Sequence, residues 1–125
     1  MFADIAGSTK LYDTLGDEEA NKLINQCIER LTDITTQHRG TVIKTIGDEI
    51  MASFPTANDA IDAAIQMQST ISGDESSALS IRVGLQYGPA ISREGDLFGD
   101  AVNVAARMAG VAKAKQLDTE YELLR

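Results

Sequence analysis

One stretch, Thr41-Val42-Ile43-Lys44-Thr45-Ile46-Gly47-Asp48-Glu49-Ile50-Met51-Ala52-Ser53-Phe54, limits the fold of this chain more than any other. Two apolar, β-branched runs flank a Gly-Asp pair, the local pattern of antiparallel strands joined by a tight turn. Gly47 can take the positive φ that such a turn needs, and Asp48 then stands at the tip with its carboxylate unconfined. An aspartate at a turn is ordinary by itself. Asp4, in Phe2-Ala3-Asp4-Ile5-Ala6-Gly7-Ser8-Thr9, is less so. It interrupts a short apolar strand, where a charge is costly unless something compensates it.

A length of 125 residues allows one core, so a single domain over 1–125 is expected. With 43% hydrophobic residues, 5% aromatics and no Trp, that core must come from Ile, Leu, Val, Ala and Met. A net charge of −8 argues against a nucleic-acid groove, which needs clustered Lys and Arg. The same charge means that an anionic ligand has to be held by metal ions or a few well-placed bases. Cys27 is the one cysteine and cannot form an internal disulfide, which suits a reducing cytosol. No apolar run approaches the roughly 20 residues that cross a bilayer, and no signal-peptide pattern is present. A cytoplasmic protein without a membrane segment is the expectation.

Taken in order, Met1 to Ala6 reads as a short buried strand broken by Gly7-Ser8-Thr9, where Ser8 or Thr9 can cap a helical segment from Lys10 to Leu15. After Gly16, Asp17 is a candidate N-cap, and Leu23, Ile24, Cys27, Ile28, Leu31 and Ile34 recur at helical spacing. Cys27 lies on that stripe as a small hydrophobe. His38-Arg39-Gly40 ends the helix, with Gly40 expected at C′. His38 has no second ligand at metal spacing and reads as structural.

Beyond the hairpin, Ala60, Ile61, Ala64, Ile65, Gln68 and Ile71 mark a second helix packed on the sheet. Ser72 to Ser77 is a polar connector. Leu79 to Tyr87 alternates as a strand, with Leu79, Ile81, Val83, Leu85 and Tyr87 on one face. Glu94-Gly95-Asp96 reads as a turn, and a last helix is expected from about Asp100 to Ala114. Its tail, Gln116 to Arg125, fits a short strand or a frayed helix end.

The order strand, helix, hairpin, helix, strand, helix implies an α+β fold. It is a ferredoxin-like βαββαβ sheet with helices on one face, plus an extra C-terminal helix. In that topology the first strand lies antiparallel beside the third, so Asp4 and Asp48 converge at one edge. Two carboxylates at such range repel unless protonated or bridged by cations. Oxygen ligands select hard ions, Mg²⁺ or Mn²⁺, which ride on one or two carboxylates plus substrate phosphates. Two such ions can serve phosphoryl transfer. On the last helix Asn103 and Arg107 are four apart and share a face, able to orient a sugar and neutralise a phosphate. The surrounding Ala and Val predict that this helix is largely buried, and a buried Arg107 needs a partner. Lys44 in the hairpin fits either an edge-strand charge or a base-reading donor.

The segments Phe2–Thr9, Lys44–Glu49, Arg82–Leu85 and Gly95–Met108, the last reading GDLFGDAVNVAARM, together resemble the catalytic domain of the class III adenylate/guanylate cyclases. The match runs in order from residue 2 to about 119. The resemblance implies that Asp4 and Asp48 bind two Mg²⁺ or Mn²⁺ with the Ile5 carbonyl, and that Lys44 and Asp96 read adenine. Guanylate cyclases of the family usually place Glu and Cys or another small residue there, so ATP is the implied substrate. Asn103 matches the ribose-orienting residue, Arg107 the group that stabilises charge at the α-phosphate, and Arg82 a phosphate-contacting arginine. The implied reaction makes 3′,5′-cyclic AMP and pyrophosphate for intracellular signalling. The site is implied to lie at a head-to-tail homodimer interface, with Asp4 and Asp48 from one protomer and the remaining groups from the other. A fused or coupled sensor domain is a further expectation.

Domains of this family carry more strands and a phosphate-contacting lysine after the matched region. The chain is therefore expected to be a shortened catalytic domain lacking its C-terminal strands. The brevity of the Gly88–Asp96 segment also implies that a long dimerisation arm is absent. Two other readings stay open on sequence. One is a catalytically silent module that keeps the fold for nucleotide binding or dimerisation. The other is a different palm-like nucleotidyl transferase, such as a dinucleotide cyclase, in which GTP competes over ATP.

Overall fold

A computed structural model of the chain describes residues 1–72, 79–111 and 117–119. The elements run β1 (Phe2–Ala6), α1 (Ser8–Leu15), α2 (Asp17–Gln37), β2 (Thr41–Ile46), β3 (Glu49–Ser53), α3 (Ala57–Ser72), β4 (Ser80–Leu85), β5 (Ile91–Arg93), β6 (Asp96–Phe98), α4 (Asp100–Val111) and β7 (Leu117–Thr119). Five strands form one sheet in the order β2-β3-β1-β4-β7, and β5 pairs with β6 in a separate hairpin. As expected, β1 lies antiparallel to β3, with Asp4 opposite Glu49. β7, from the ambiguous tail, is a strand that runs parallel to β4. The rest of that tail, the polar connector at 73–78 and the expected end of α4 at 112–116 lie outside the described residues.

The pleat sends alternate residues of each strand to opposite faces. Ala3, Ile5, Ile50, Ile81 and Val83 meet Ile24, Cys27, Leu31, Ala63, Ala64 and Met67 in the main core, so α2 and α3 cover one face as the βαββαβ order requires. Full burial of a side chain such as Leu31 or Met67 contributes about 1.5–3 kcal/mol. Burial drives the Cys27 thiol up to about 11, which leaves it an inert hydrophobe. The extra helix takes the opposite face. Ala105 and Ala109 of α4 pack on Phe2 and Met51, with Ile43, Leu97 and Val102 around them. Gly84 makes this approach possible, because a Cβ there would run into the backbone of Ala105 and Ala109.

Several sequence expectations shift. Ile65 is 56% exposed, while Met67, outside the expected stripe, is fully buried. The buried face of α3 is Ala60, Ala63, Ala64, Met67 and Ile71, and Ile65 falls one residue, about 100°, away from Ala64. β4 stops at Leu85, and Tyr87 is 62% exposed rather than part of the alternating face. At the end of α2 the left-handed residue is Arg39, with φ 66°, and not Gly40. Gly40 is needed for space, since a Cβ would meet the Phe54 ring and the Thr35 methyl. His38 is structural as expected: its Nε2 lies 2.7 Å from Gln66 Oε1, bridging α2 to α3.

Candidate active site

The register places Ile46, Glu49, Asp4 and Arg82 side by side on neighbouring strands, on the sheet face that α4 covers further along. Gly47, at φ 59°, turns the chain between β2 and β3 and delivers Asp48 to the end of β1. Two bonds fix it there. The Asp48 carbonyl accepts the Ile5 N–H at 3.0 Å, and its carboxylate Oδ2 accepts the Ser8 hydroxyl at 3.0 Å. Burial first, then the Asp48 charge beside it, pushes the Asp4 pKa up, and Arg82 offsets part of that. Glu49 is raised by the same causes, burial ahead of the charges of Asp4 and Asp48. Arg82 Nε is buried and has no hydrogen-bond partner among the described residues, so the arginine sits by the acids without being consumed by them.

Asp4 and Asp48 thus converge, with Ile5 directly after Asp4 and Arg82 across from it. Repelling oxygens at a partly buried edge fit a hard divalent cation. Among the described residues no three His, Cys, Asp or Glu side chains gather tightly enough to hold an ion alone. A cation here needs further oxygens from backbone, water or a phosphate. That is the usual habit of Mg²⁺.

Lys44 and Asp96 form the second convergence. Lys44 Nζ donates to Asp96 Oδ2 at 2.7 Å, and Asp96 Oδ1 accepts the Leu97 N–H at 2.8 Å. These two bonds, Lys44 first, hold the Asp96 carboxyl below the usual range. The pairing depends on an irregularity in β2: Val42 pairs with Ala52 but Lys44 with Met51, so one extra residue is taken up at Ile43. Without this bulge Lys44 would stand opposite Ile50 and point into the main core face. With it, Lys44 joins Met51 on the α4 face and reaches β6.

Asn103 and Arg107 both lie exposed on α4, on the side away from Ala105 and Ala109. The expectation of a largely buried helix is corrected here. Only one stripe of α4 is covered, and Arg107 makes no ion pair with a described residue. Nor does any hydrogen bond or ion pair among the described residues link Asp4 or Asp48 to Lys44, Asp96, Asn103 or Arg107. The candidate groups therefore fall on different elements: Asp4 and Asp48 at the end of β1, Lys44 and Asp96 on β2 and β6, and Asn103 and Arg107 on the exposed side of α4. Sequence reasoning missed Ser8, which reads as a helix cap. Instead α1 starts after Gly7 with no side-chain cap, and the hydroxyl crosses to Asp48.

Comparison with known proteins bears on this arrangement. A family model of the adenylate and guanylate cyclase catalytic domain matches residues 1–123. An adenylate cyclase of Streptomyces coelicolor is 33% identical over 128 residues, covering 99% of this chain and 33% of that protein. A pH-sensitive adenylate cyclase of Mycobacterium tuberculosis is 35% identical over 112 residues, covering 90% and 28%. The chain spans about a third of the length of these curated relatives. A crystal structure of an adenylate/guanylate cyclase/hydrolase from Silicibacter pomeroyi superposes with a TM-score of 0.76 at 30% identity, covering 94% of this chain and 70% of the other. With its motifs, sheet order and convergent aspartates, the chain belongs to the adenylate and guanylate cyclase catalytic domain family.

Proposed function

We propose that residues 1–125 act as one adenylate cyclase catalytic domain, converting ATP to 3′,5′-cyclic AMP and pyrophosphate in the cytoplasm. The observation that carries this reading is the meeting of Asp4 and Asp48 at the end of β1, where their mutual repulsion favours a cation. Asp4, Asp48 and the Ile5 carbonyl would hold two Mg²⁺ or Mn²⁺. When bound, these ions neutralise the triphosphate and favour ionisation of the attacking hydroxyl. Lys44 donates to a ring nitrogen of adenine and Asp96 accepts from its amino group. Asn103 orients the ribose, Arg107 neutralises charge gathering at the α-phosphate, and Arg82 contacts phosphate oxygens. The 3′ oxygen bonds to the α-phosphorus while the bond to the bridging oxygen of pyrophosphate breaks, and the hydroxyl proton passes to solvent.

The placement of the acidic edge and of Asn103 and Arg107 on different elements favours a site shared between two copies of the chain. Cyclic AMP formation from Mn²⁺–ATP tests the activity, and exchange of the base-reading pair tests the substrate. The double variant Lys44→Glu with Asp96→Cys is expected to turn preference toward GTP. Unchanged preference for ATP in an active double variant would contradict the base-reading role.

A further inference from the structure

We infer that Ser8 is a positioning residue for the cation site, setting the rotamer of Asp48 from the first turn of α1. The inference rests on the reading of Asp4 and Asp48 as cation ligands. Asp48 lies on the two-residue turn Gly47–Asp48, and a Cβ added to Gly47, at φ 59°, would meet nothing within 4 Å. The turn itself therefore supplies little to fix a side chain at its tip. The Ile5 N–H holds the Asp48 carbonyl and so places the backbone. That bond by itself does not fix χ1 and χ2 of the carboxylate. The bond from Ser8 Oγ to Oδ2 supplies the missing constraint, reaching across 40 residues of sequence.

Ser8 is placed to do this because Gly7 adopts the left-handed region, with φ 91° and ψ 2°, and turns β1 directly into α1. The Ser8 hydroxyl makes no cap bond to its own helix. One lone pair of Oδ2 is taken by a neutral donor, which leaves the carboxylate its charge and its other lone pairs for a cation. A hydroxyl suits this task better than a Lys or Arg, whose charge would compete with the ion. Outer partners of this kind typically change cation affinity by about 10- to 100-fold when removed.

The experiment is a Mn²⁺ titration in the presence of ATP, followed by the electron paramagnetic resonance of the free ion. It compares the wild-type protein with Ser8→Ala and Ser8→Thr. Ser8→Ala is expected to weaken Mn²⁺ about 10-fold or more, while Ser8→Thr, which keeps the hydroxyl on Cβ, restores most of the affinity. In the cyclase assay Ser8→Ala should need more Mn²⁺ for half-maximal rate yet recover its rate at saturating Mn²⁺. Loss of the Ser8–Asp48 bond is expected to lower the Ser8→Ala urea midpoint as well, so affinities are compared where both proteins are fully folded. A wild-type protein that binds Mn²⁺ alongside a Ser8→Ala variant of equal affinity overturns the role of Ser8 alone. A wild-type protein that binds none overturns the cation site and the inference together.

Discussion

At Asp4, burial and the neighbouring Asp48 charge both favour the protonated form, and Arg82 offsets only part of this. The folded-state pKa stands above the ordinary 3.8, so the folded protein binds more protons at this group than the unfolded chain does. Below 3.8 the carboxyl is protonated in both states and contributes nothing. Its penalty grows as pH rises from there and is complete once pH passes the folded-state value. Asp4→Asn removes the penalty. In cation-free buffer at pH 7 the variant should therefore show a higher urea midpoint than wild type, with the difference shrinking toward pH 3.8. Added Mn²⁺ should stabilise wild type and leave the variant unmoved. A wild-type protein more stable than Asp4→Asn at pH 7 without cation would contradict the repulsion. Asp4 was legible in the sequence because a charge inside a short apolar strand asks for a reason. Ser8 was not, because a serine after glycine at a helix start has a sufficient local explanation.

Among the elements, the core stripe of α2 follows from periodicity, because that helix has one covered face and one wet face, and the hairpin follows from its Gly-Asp turn between two apolar runs. β2 shows what periodicity leaves out. The bulge at Ile43 reverses the side to which Lys44 points, and nothing in an apolar run announces a one-residue change of register. α4 is a milder case: its Ala and Val content suggests burial all round, but the covered stripe is the one that meets Gly84, Phe2 and Met51. The closeness of that contact is testable. In Gly84→Ala the new methyl meets backbone atoms of α4, which cannot swing aside as a side chain could. The helix must move, at a cost of about 1–3 kcal/mol. A urea midpoint equal to wild type would contradict the packing described. Since α4 carries Asn103 and Arg107, cyclase activity under native conditions should fall as well.

For the whole molecule, the two sets of groups sit on different elements of the fold. Asp4 and Asp48 occupy the end of β1, while α4 lifts Asn103 and Arg107 into solvent on its outer side. An arginine exposed without a described ion-pair partner is ready to meet an anion brought by something else. In the proposed site that anion is the nucleotide α-phosphate, carried by cations at the acidic edge of a second copy of the chain. The most direct measurement of this claim is activity on mixing two single variants, Asp48→Ala and Arg107→Ala, at concentrations where dimers form. Each variant alone should make no cyclic AMP from Mn²⁺–ATP. The mixture should recover part of the wild-type rate, because a mixed dimer retains one site with both groups intact. No recovery in a solution shown to contain mixed dimers would contradict the shared site.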